Sequence, residues 1–399
     1  MGMNDTPKGE RLHIALFGRR NAGKSSVINA ITGQSLSIVS DVKGTTTDPV
    51  YKAMEILPMG PVMLIDTPGL DDEGSLGELR IEKAKEVMRK TDVALLIVDG
   101  SEKKDDSVDE QLAEELTKRN IPFLWVYNKA DLILEKTKEN VMYVSAKDGQ
   151  GIFELKEKIR TLVPKGQDRP LVRDLIDTGD LVVLVVPIDK AAPKGRLILP
   201  QQQTIRDILE KGGIPVVVRD TELESVFEKL QQKPRMVITD SQAFEYVSKV
   251  TPKDIPLTSF SILMARYKGN LAKLAKSAFT VRNLKDGDKI LMAEGCTHHR
   301  QCGDIGTEKL PNWIRGFSGK QLIFETSSGT GYPKDLSQYA MIVHCGGCML
   351  NPKEMKYRME EAYRQEIPIV NYGIMIAYMK GILERSLEIF PEVLSEIGK

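Results

Sequence analysis

The residues of this 399-residue chain with the types and spacing to do chemistry fall in two places. Near the amino terminus, Gly18-Arg-Arg-Asn-Ala-Gly23-Lys24-Ser25 has the G-x-x-x-x-G-K-S spacing of a phosphate-binding loop. Glycines let backbone N–H groups wrap phosphate oxygens, and a helix opening at the loop adds positive potential. Gly18, Asn21, Ala22, Gly23, Lys24, Ser25 and Ser26 are therefore candidate phosphate contacts. Lys24 is expected to reach the β- and γ-phosphates and Ser25 to bind Mg²⁺. In the last third of the chain lie all four cysteines, Cys296, Cys302, Cys345 and Cys348, with three of the four histidines, His298, His299 and His344. Disulfides are not expected in a chain of this kind, so the clustering points to metal or redox chemistry.

Three further motifs extend the first site. Asp66-Thr-Pro-Gly69 follows the apolar run VMLI, where a carboxylate can hold Mg²⁺ through water and the glycine N–H can sense the γ-phosphate. Asn128-Lys129-Ala-Asp131 follows FLWVY. Its Asp131 carboxylate can accept from the N1–H and 2-amino group of guanine, a donor pair that adenine lacks. Ser145-Ala146-Lys147 can offer a backbone N–H to the guanine O6. In this order, each at the end of an expected strand, the motifs predict GTP binding.

At the second site, Cys296-Thr-His298 follows KILMAEG and His344-Cys-Gly-Gly-Cys348 follows AMIV. Asn351-Pro352-Lys353-Glu354 then reads as an N-cap, a first-turn proline and a capping-box glutamate. A helix start there is expected to lower the thiol pKa values. The residues leave four readings open: a structural zinc site with Cys₃His ligation, an iron–sulfur cluster on three thiolates, small core cysteines, or a thioredoxin-like redox pair.

These residues need strand ends to hold them. RLHIALFG, VMLIDTPG, VALLIVDG, IPFLWVYNK and NVMYVSA read as strands, most of them continuously apolar as in a parallel sheet, with helical patterns between. The expectation is an α/β protein of three domains. A P-loop GTPase with a doubly wound sheet occupies 1–165, a small α/β unit 171–260, and a third α/β unit, which carries the cysteines, 261–399. The middle unit shows no catalytic constellation, and its apolar strands call for a covering second chain. Lys+Arg and Asp+Glu are both 56, so no global field favours a polyanion and no nucleic acid is expected. Arg266, Lys268, Lys273, Lys276, Arg282, Lys285 and Lys289 are interleaved with other residue types and read as a solvated helix face. The longest apolar run, Leu181–Ile188, is far too short to span a bilayer, and the amino terminus has no hydrophobic signal core, so a cytoplasmic protein with no membrane association is expected.

Residues 10–165 resemble the GTPase branch that contains MnmE and Era. That resemblance implies a first switch at Lys43-Gly44-Thr45-Thr46-Thr47-Asp48, with Thr46 or Thr47 completing the Mg²⁺ shell, and an activating K⁺ held by Asn21. Lys24, Thr46, Thr47, Asp66 and Gly69 are then the hydrolytic set. Leu70 stands where many small GTPases place a water-orienting glutamine, so slow hydrolysis is expected; Asp71-Asp72-Glu73 reads first as charges that solvate a switch loop, with a substitute acid as the alternative. A P-loop GTPase joined to C-x-H and H-C-x-x-C resembles the HydF family of FeFe-hydrogenase maturation factors. This resemblance implies that Cys296, Cys345 and Cys348 bind a 4Fe-4S cluster, the fourth iron being open to His298, His344, Asp304, Glu294 or an external ligand. It further implies GTP/GDP as cofactor, a dimerisation domain, a di-iron precursor as cargo, and apo FeFe-hydrogenase and radical-SAM maturases as partners. The rival expectation is a zinc-stabilised regulatory GTPase acting on RNA or ribosomes.

Overall fold

A computed structural model describes residues 6–33, 48–57, 59–69, 75–101, 107–133, 139–163, 170–188, 197–295, 304–329 and 331–398. The chain divides into two compact units, Thr6–Asp168 and Arg169–Lys399.

In the first unit the strands are β1 (Leu12–Phe17), β2 (Val50–Ile56), β3 (Gly60–Asp66), β4 (Val93–Asp99), β5 (Phe123–Asn128) and β6 (Met142–Tyr143). They lie in the order β2-β3-β1-β4-β5-β6. All pairings are parallel except that of β2 with β3. Helices α1 (Lys24–Thr32) and α4 (Ile152–Leu162) cover one face, and α2 (Ser75–Arg89) and α3 (Ser107–Lys118) the other. Successive β1 residues serve alternate cores. Ile14 and Leu16 pack with Val27, Ile31 and Ile159, whereas Ala15 and Phe17 pack with Val87, Met88 and Leu116. Burial on both faces is why the central strands carry no polar alternation. The β2 strand went unread in the sequence. Its exposure alternates because one of its faces is solvated, and polar residues dilute its apolar signal.

The second unit holds two four-stranded, wholly parallel sheets. Strands β7 (Leu181–Val185), β8 (Ile214–Val218), β9 (Met236–Thr239) and β10 (Leu257–Ser259) are ordered β10-β9-β7-β8. Helices α5 (Leu199–Lys211), α6 (Leu223–Lys229) and α7 (Phe244–Val250) belong to this stretch, followed by α8 (Phe260–Lys268) and α9 (Leu271–Ala278). Strands β11 (Lys289–Ala293), β12 (Ile323–Ser327), β13 (Met341–His344) and β14 (Ile369–Asn371) are ordered β12-β11-β13-β14. They are joined by α10 (Leu310–Ser318) and α11 (Pro352–Arg364), with α12 (Tyr372–Met379), α13 (Leu383–Leu387) and α14 (Pro391–Ile397) closing the chain.

One apolar core runs through both sheets, joining Val183 and Ile238 to Phe260, Leu263, Leu274, Ile342 and Ile376. The Arg385 guanidinium on α13 donates to the carbonyls of Ser248, Thr251 and Pro252. The segments 171–260 and 261–399 therefore pack as one unit, with no break in the core at residue 260. The stretch from Tyr372 to Leu387 forms two helices: α12 ends at Met379, and Gly381 at φ +71° turns the chain before α13. At the sheet edges, β8 exposes Ile214 and Val217, and β12 exposes Ile323. Among the described residues no helix is long and apolar enough to cross a membrane.

Phe244 is fully buried in the core of the second unit. Phe244→Ala should destabilise that unit by about 3–5 kcal/mol. The two tryptophans divide between the units, so Trp313 fluorescence in a Trp125→Phe background isolates the relevant urea transition. An unmoved midpoint would contradict the assignment of Phe244 to the core.

Candidate functional site

The loop between β1 and α1 is bound to the rest of its unit at several points. Lys24 is buried and folds its ammonium back onto the Gly18 carbonyl (3.0 Å) and the Arg19 carbonyl (2.7 Å). Arg19 pairs at 3.1 Å with Asp109, a buried carboxylate on α3. Gly23 has φ +88°, and a Cβ there would lie 2.2 Å from Asn128 Nδ2, so a larger residue would displace Asn128. Asn21 is exposed and also takes a left-handed φ of +62°, a conformation that asparagine adopts more readily than most residues.

A cavity of about 470 Å³ opens on this loop, with Asn21, Lys24, Ser25, Asp66, Gly69 and Arg80 in its wall. Ser25 Oγ donates to Asp66 Oδ2, so the serine and the carboxylate expected at Mg²⁺ are brought together. Burial raises the Asp66 pKa, against the opposing Ser25 hydrogen bond and Lys24 charge. A cation bound here would offset that desolvation. Arg80, buried on α2, was not identified in the sequence because a basic residue within an amphipathic helix has no motif to mark it. Asp48, which ends the expected first switch, lines the same cavity and pairs with Lys83 at 3.4 Å. Thr46, Thr47 and the Leu70–Glu73 segment lie outside the described residues.

The base-recognition motifs are likewise assembled. Asn128 donates from Nδ2 to the Ala22 carbonyl (3.1 Å) and accepts at Oδ1 from the Ala146 N–H (3.1 Å), tying two loops together. Lys129 has a left-handed φ and pairs with Asp99 at the end of β4. Burial alone would raise the Asp99 pKa, but hydrogen bonds from Lys129 and Ser101 outweigh it and hold the carboxyl below its ordinary value. Ser145 Oγ donates to Asp131 (3.0 Å), whose residue is exposed, as is Lys147. Asn128→Ala should leave the Ala22 and Ala146 backbone groups without these partners, at about 1–3 kcal/mol. Titration with a fluorescent guanine nucleotide should then show on the order of ten- to hundredfold weaker binding; unchanged affinity would refute the tether.

The second site lies in the other unit, at the carboxyl end of β13. Cys345 Sγ accepts from the N–H of Gly295 (3.1 Å), just past β11, and from that of Gly347 (3.4 Å). Gly347 has φ +61°, and a Cβ there would approach Met355 Sδ to 2.5 Å. The expectation of lowered thiol pKa values is reversed. Burial pushes Cys345 up to about 11 despite the two amide donors, and burial also raises Cys348. Without a bound metal ion both sulfurs hold their protons, which does not suit a thioredoxin-like pair.

The anchoring side chains were largely unread in the sequence. Lys268 is not on a solvated face: it is buried at the end of α8 and donates to the carbonyls of Gly347 (2.9 Å), Cys348 (3.3 Å) and Leu350 (2.8 Å). Asn351 caps α11 as expected, accepting from the Glu354 N–H (3.0 Å), but the Glu354 carboxylate reaches Arg358 (2.9 Å) instead of closing a capping box. Arg358 is fully buried and donates to His344 Nε2 (3.1 Å) and to the Gly329 carbonyl. His344 in turn donates from Nδ1 to the Cys345 carbonyl (2.7 Å). Burial, with Arg358 adding to it, lowers the His344 pKa to about 3, so the ring is neutral. Both its nitrogens are engaged, Nδ1 as donor to a carbonyl and Nε2 as acceptor from the guanidinium. Of the other candidate ligands, Asp304 Oδ2 caps the Thr307 N–H (2.9 Å), and Glu294 is buried one residue before Gly295. Cys296, His298, His299 and Cys302 lie outside the described residues. Among the described residues no group of three or more His, Cys, Asp or Glu side chains is placed to hold a metal.

Comparison with known proteins follows the same division. Residues 13–129 match the family described as 50S ribosome-binding GTPase. The chain is 40% identical over 166 residues to the tRNA modification GTPase MnmE of Dichelobacter nodosus, covering 40% of this chain and 37% of that protein. It is 32% identical over 177 residues to GTPase Der of Kosmotoga olearia, covering 39% and 40%. It thus spans well under half the length of these relatives. Among solved structures, Aquifex aeolicus Era bound to GDP and AlF₄⁻ is 21% identical with a TM-score of 0.35, covering 60% of this chain and 97% of that one. Beyond the GTPase domain, residues 171–269 match the Hydrogen maturase F dimerization domain and residues 272–389 the Hydrogen maturase F tetramerization domain. With these two adjoining matches over more than half its length, behind a GTPase domain, the chain belongs to the HydF family.

Proposed function

We propose that this chain is a GTP-hydrolysing scaffold for hydrogenase maturation, which binds a 4Fe-4S cluster through Cys296, Cys345 and Cys348 and carries a di-iron precursor to apo FeFe-hydrogenase. The observation that carries the reading is the meeting of β11 and β13: the Gly295 N–H touches the Cys345 sulfur, and the next residue in sequence is Cys296. The donor chemistry suits an iron–sulfur centre. Cys345 receives two amide hydrogen bonds, the arrangement that stabilises a metal-bound thiolate, while burial disfavours a free one. The cluster, when bound, would supply an iron coordination position open to an exchangeable ligand. Around it, the chain's residues hold the loop rigid, donate to sulfur and keep His344 engaged elsewhere.

In the GTPase domain, Lys24 and the loop amides would bind the phosphates, and Ser25, Asp66 and a switch threonine, Thr46 or Thr47, the Mg²⁺ region. Gly69 would sense the γ-phosphate, Asn128, Lys129 and Asp131 would hold the base with the Ser145–Lys147 loop, and Asn21 would hold a K⁺ that stabilises transferring charge. Nucleotide state would order the two switches and so time partner exchange. The dimerization and tetramerization descriptions support a dimer or higher oligomer, and the exposed edges of β8 and β12 are chemically suited to pairing. The radical-SAM maturases would supply the cargo.

Anaerobically prepared protein should be brown and carry about four irons and four sulfides per chain, and Cys345→Ser or Cys348→Ser should remove most of that iron. Colourless protein with one zinc per chain would instead establish the zinc-stabilised regulatory GTPase. Hydrolysis should be slow and several-fold faster in K⁺ than in Na⁺, and Asn21→Ala should erase that difference; equal rates in the two salts for the wild-type chain would refute the K⁺ role.

A further inference from the structure

The Cys345–Cys348 loop is held by a cation from outside the cysteine-bearing region. Lys268 is the last residue of α8 and falls within the dimerization match, whereas both cysteines fall within the tetramerization match. Helix α8 starts directly after β10, with Ser259 as its cap, so it runs from the end of one sheet to the loop at the end of the other. A buried ammonium loses its hydration and needs oxygen partners in return. Here the carbonyls of Gly347, Cys348 and Leu350 provide them, at 2.9, 3.3 and 2.8 Å. Those three oxygens span Cys348, so one side chain sets the loop's shape and fixes a positive charge on the Cys348 backbone. A surface cation is screened by water and salt; a buried one is screened much less.

We propose that Lys268 is the positioning residue of the iron–sulfur site: it presets the loop for metal and raises the cluster's reduction potential by offsetting the anionic charge of the thiolate ligands. This rests on the cluster reading above. Reduction adds an electron to a centre that is already a net anion, so a neighbouring positive charge favours the reduced form. The charge is contributed by the helix that links the two sheets, which ties the cluster's electronic state to the segment matched as the dimerization domain.

The test uses the full-length chain, reconstituted anaerobically with iron and sulfide and titrated at controlled potentials, with the reduced cluster read by electron paramagnetic resonance. Lys268→Gln keeps a hydrogen-bond donor but removes the charge. It should shift the reduction equilibrium about tenfold toward the oxidised form, about 59 mV for a one-electron couple. Lys268→Arg keeps the charge and should stay within about threefold of wild type. A Gln variant that titrates with the wild-type chain would overturn the proposal, and so would an Arg variant shifted tenfold. Should the Gln variant take up no cluster, or fail to fold, while the Arg variant folds and loads, the need for charge is upheld. Loss of iron from both variants, with the fold retained by circular dichroism, would make the role one of packing and overturn it. A wild-type chain that takes up no iron and sulfide would sink the cluster reading itself, a separate outcome.

Discussion

Parallel β-pairing is the constraint on which the rest of this molecule depends. A parallel strand needs a crossover and burial on both faces, so chain polarity repeats and the carboxyl ends of neighbouring strands open on one side of their sheet. Polar chemistry cannot enter the strands without disrupting two cores, so it collects where they end. Asp66 ends β3, Asn128 ends β5, and the Gly18 loop leaves β1. In the other unit Glu294 and Gly295 leave β11, and Cys345 leaves β13 alongside. Both sites thus arise from one architectural rule applied in two separate sheets.

The two sites manage charge by different means. The nucleotide site is a wide cavity in which the buried Asp66 and Lys24 are set near each other and near Ser25, a set suited to a charged ligand with its cation. The cysteine loop is closed behind by Met355 and Met359, and a void there is only about 10 Å³, about one water. Its polar groups are satisfied internally, along a chain from Glu354 through Arg358 and His344 to the Cys345 carbonyl, and separately by Lys268. Breaking one link of such a buried set leaves a charge or dipole with no solvent to replace its partner, which makes the loop rigid.

What was readable beforehand follows from how local each signal is. The P-loop is legible because its chemistry requires neighbouring backbone amides, and Asn351-Pro352 is legible because a helix cap is a contact between residues three apart. The Glu354 carboxylate was misassigned for the same reason. A local rule directs it to the cap, but a buried guanidinium one turn on is the stronger partner. Lys268 read as an ordinary surface cation because nothing near it in the chain marks burial; its partners lie about eighty residues away. The thiol pKa expectation failed because the favourable helix start is a short-range effect, and desolvation outweighs it.

The amino-acid sequence by itself determined the α/β class, the strands that end in chemistry, the Asn128 and Ser145 motifs and the cysteine–histidine pattern, since each depends on periodicity or on residues a few positions apart. Only the tertiary structure decided that the two carboxy-terminal sheets share one core, that Arg80 lines the cavity at the Gly18 loop, that His344 is spent on Arg358, and that Lys268 holds the cysteine loop. Burial and long-range pairing are properties of what packs against a residue, and the packing partner is set by the fold of the whole unit rather than by the residue's neighbours in the chain.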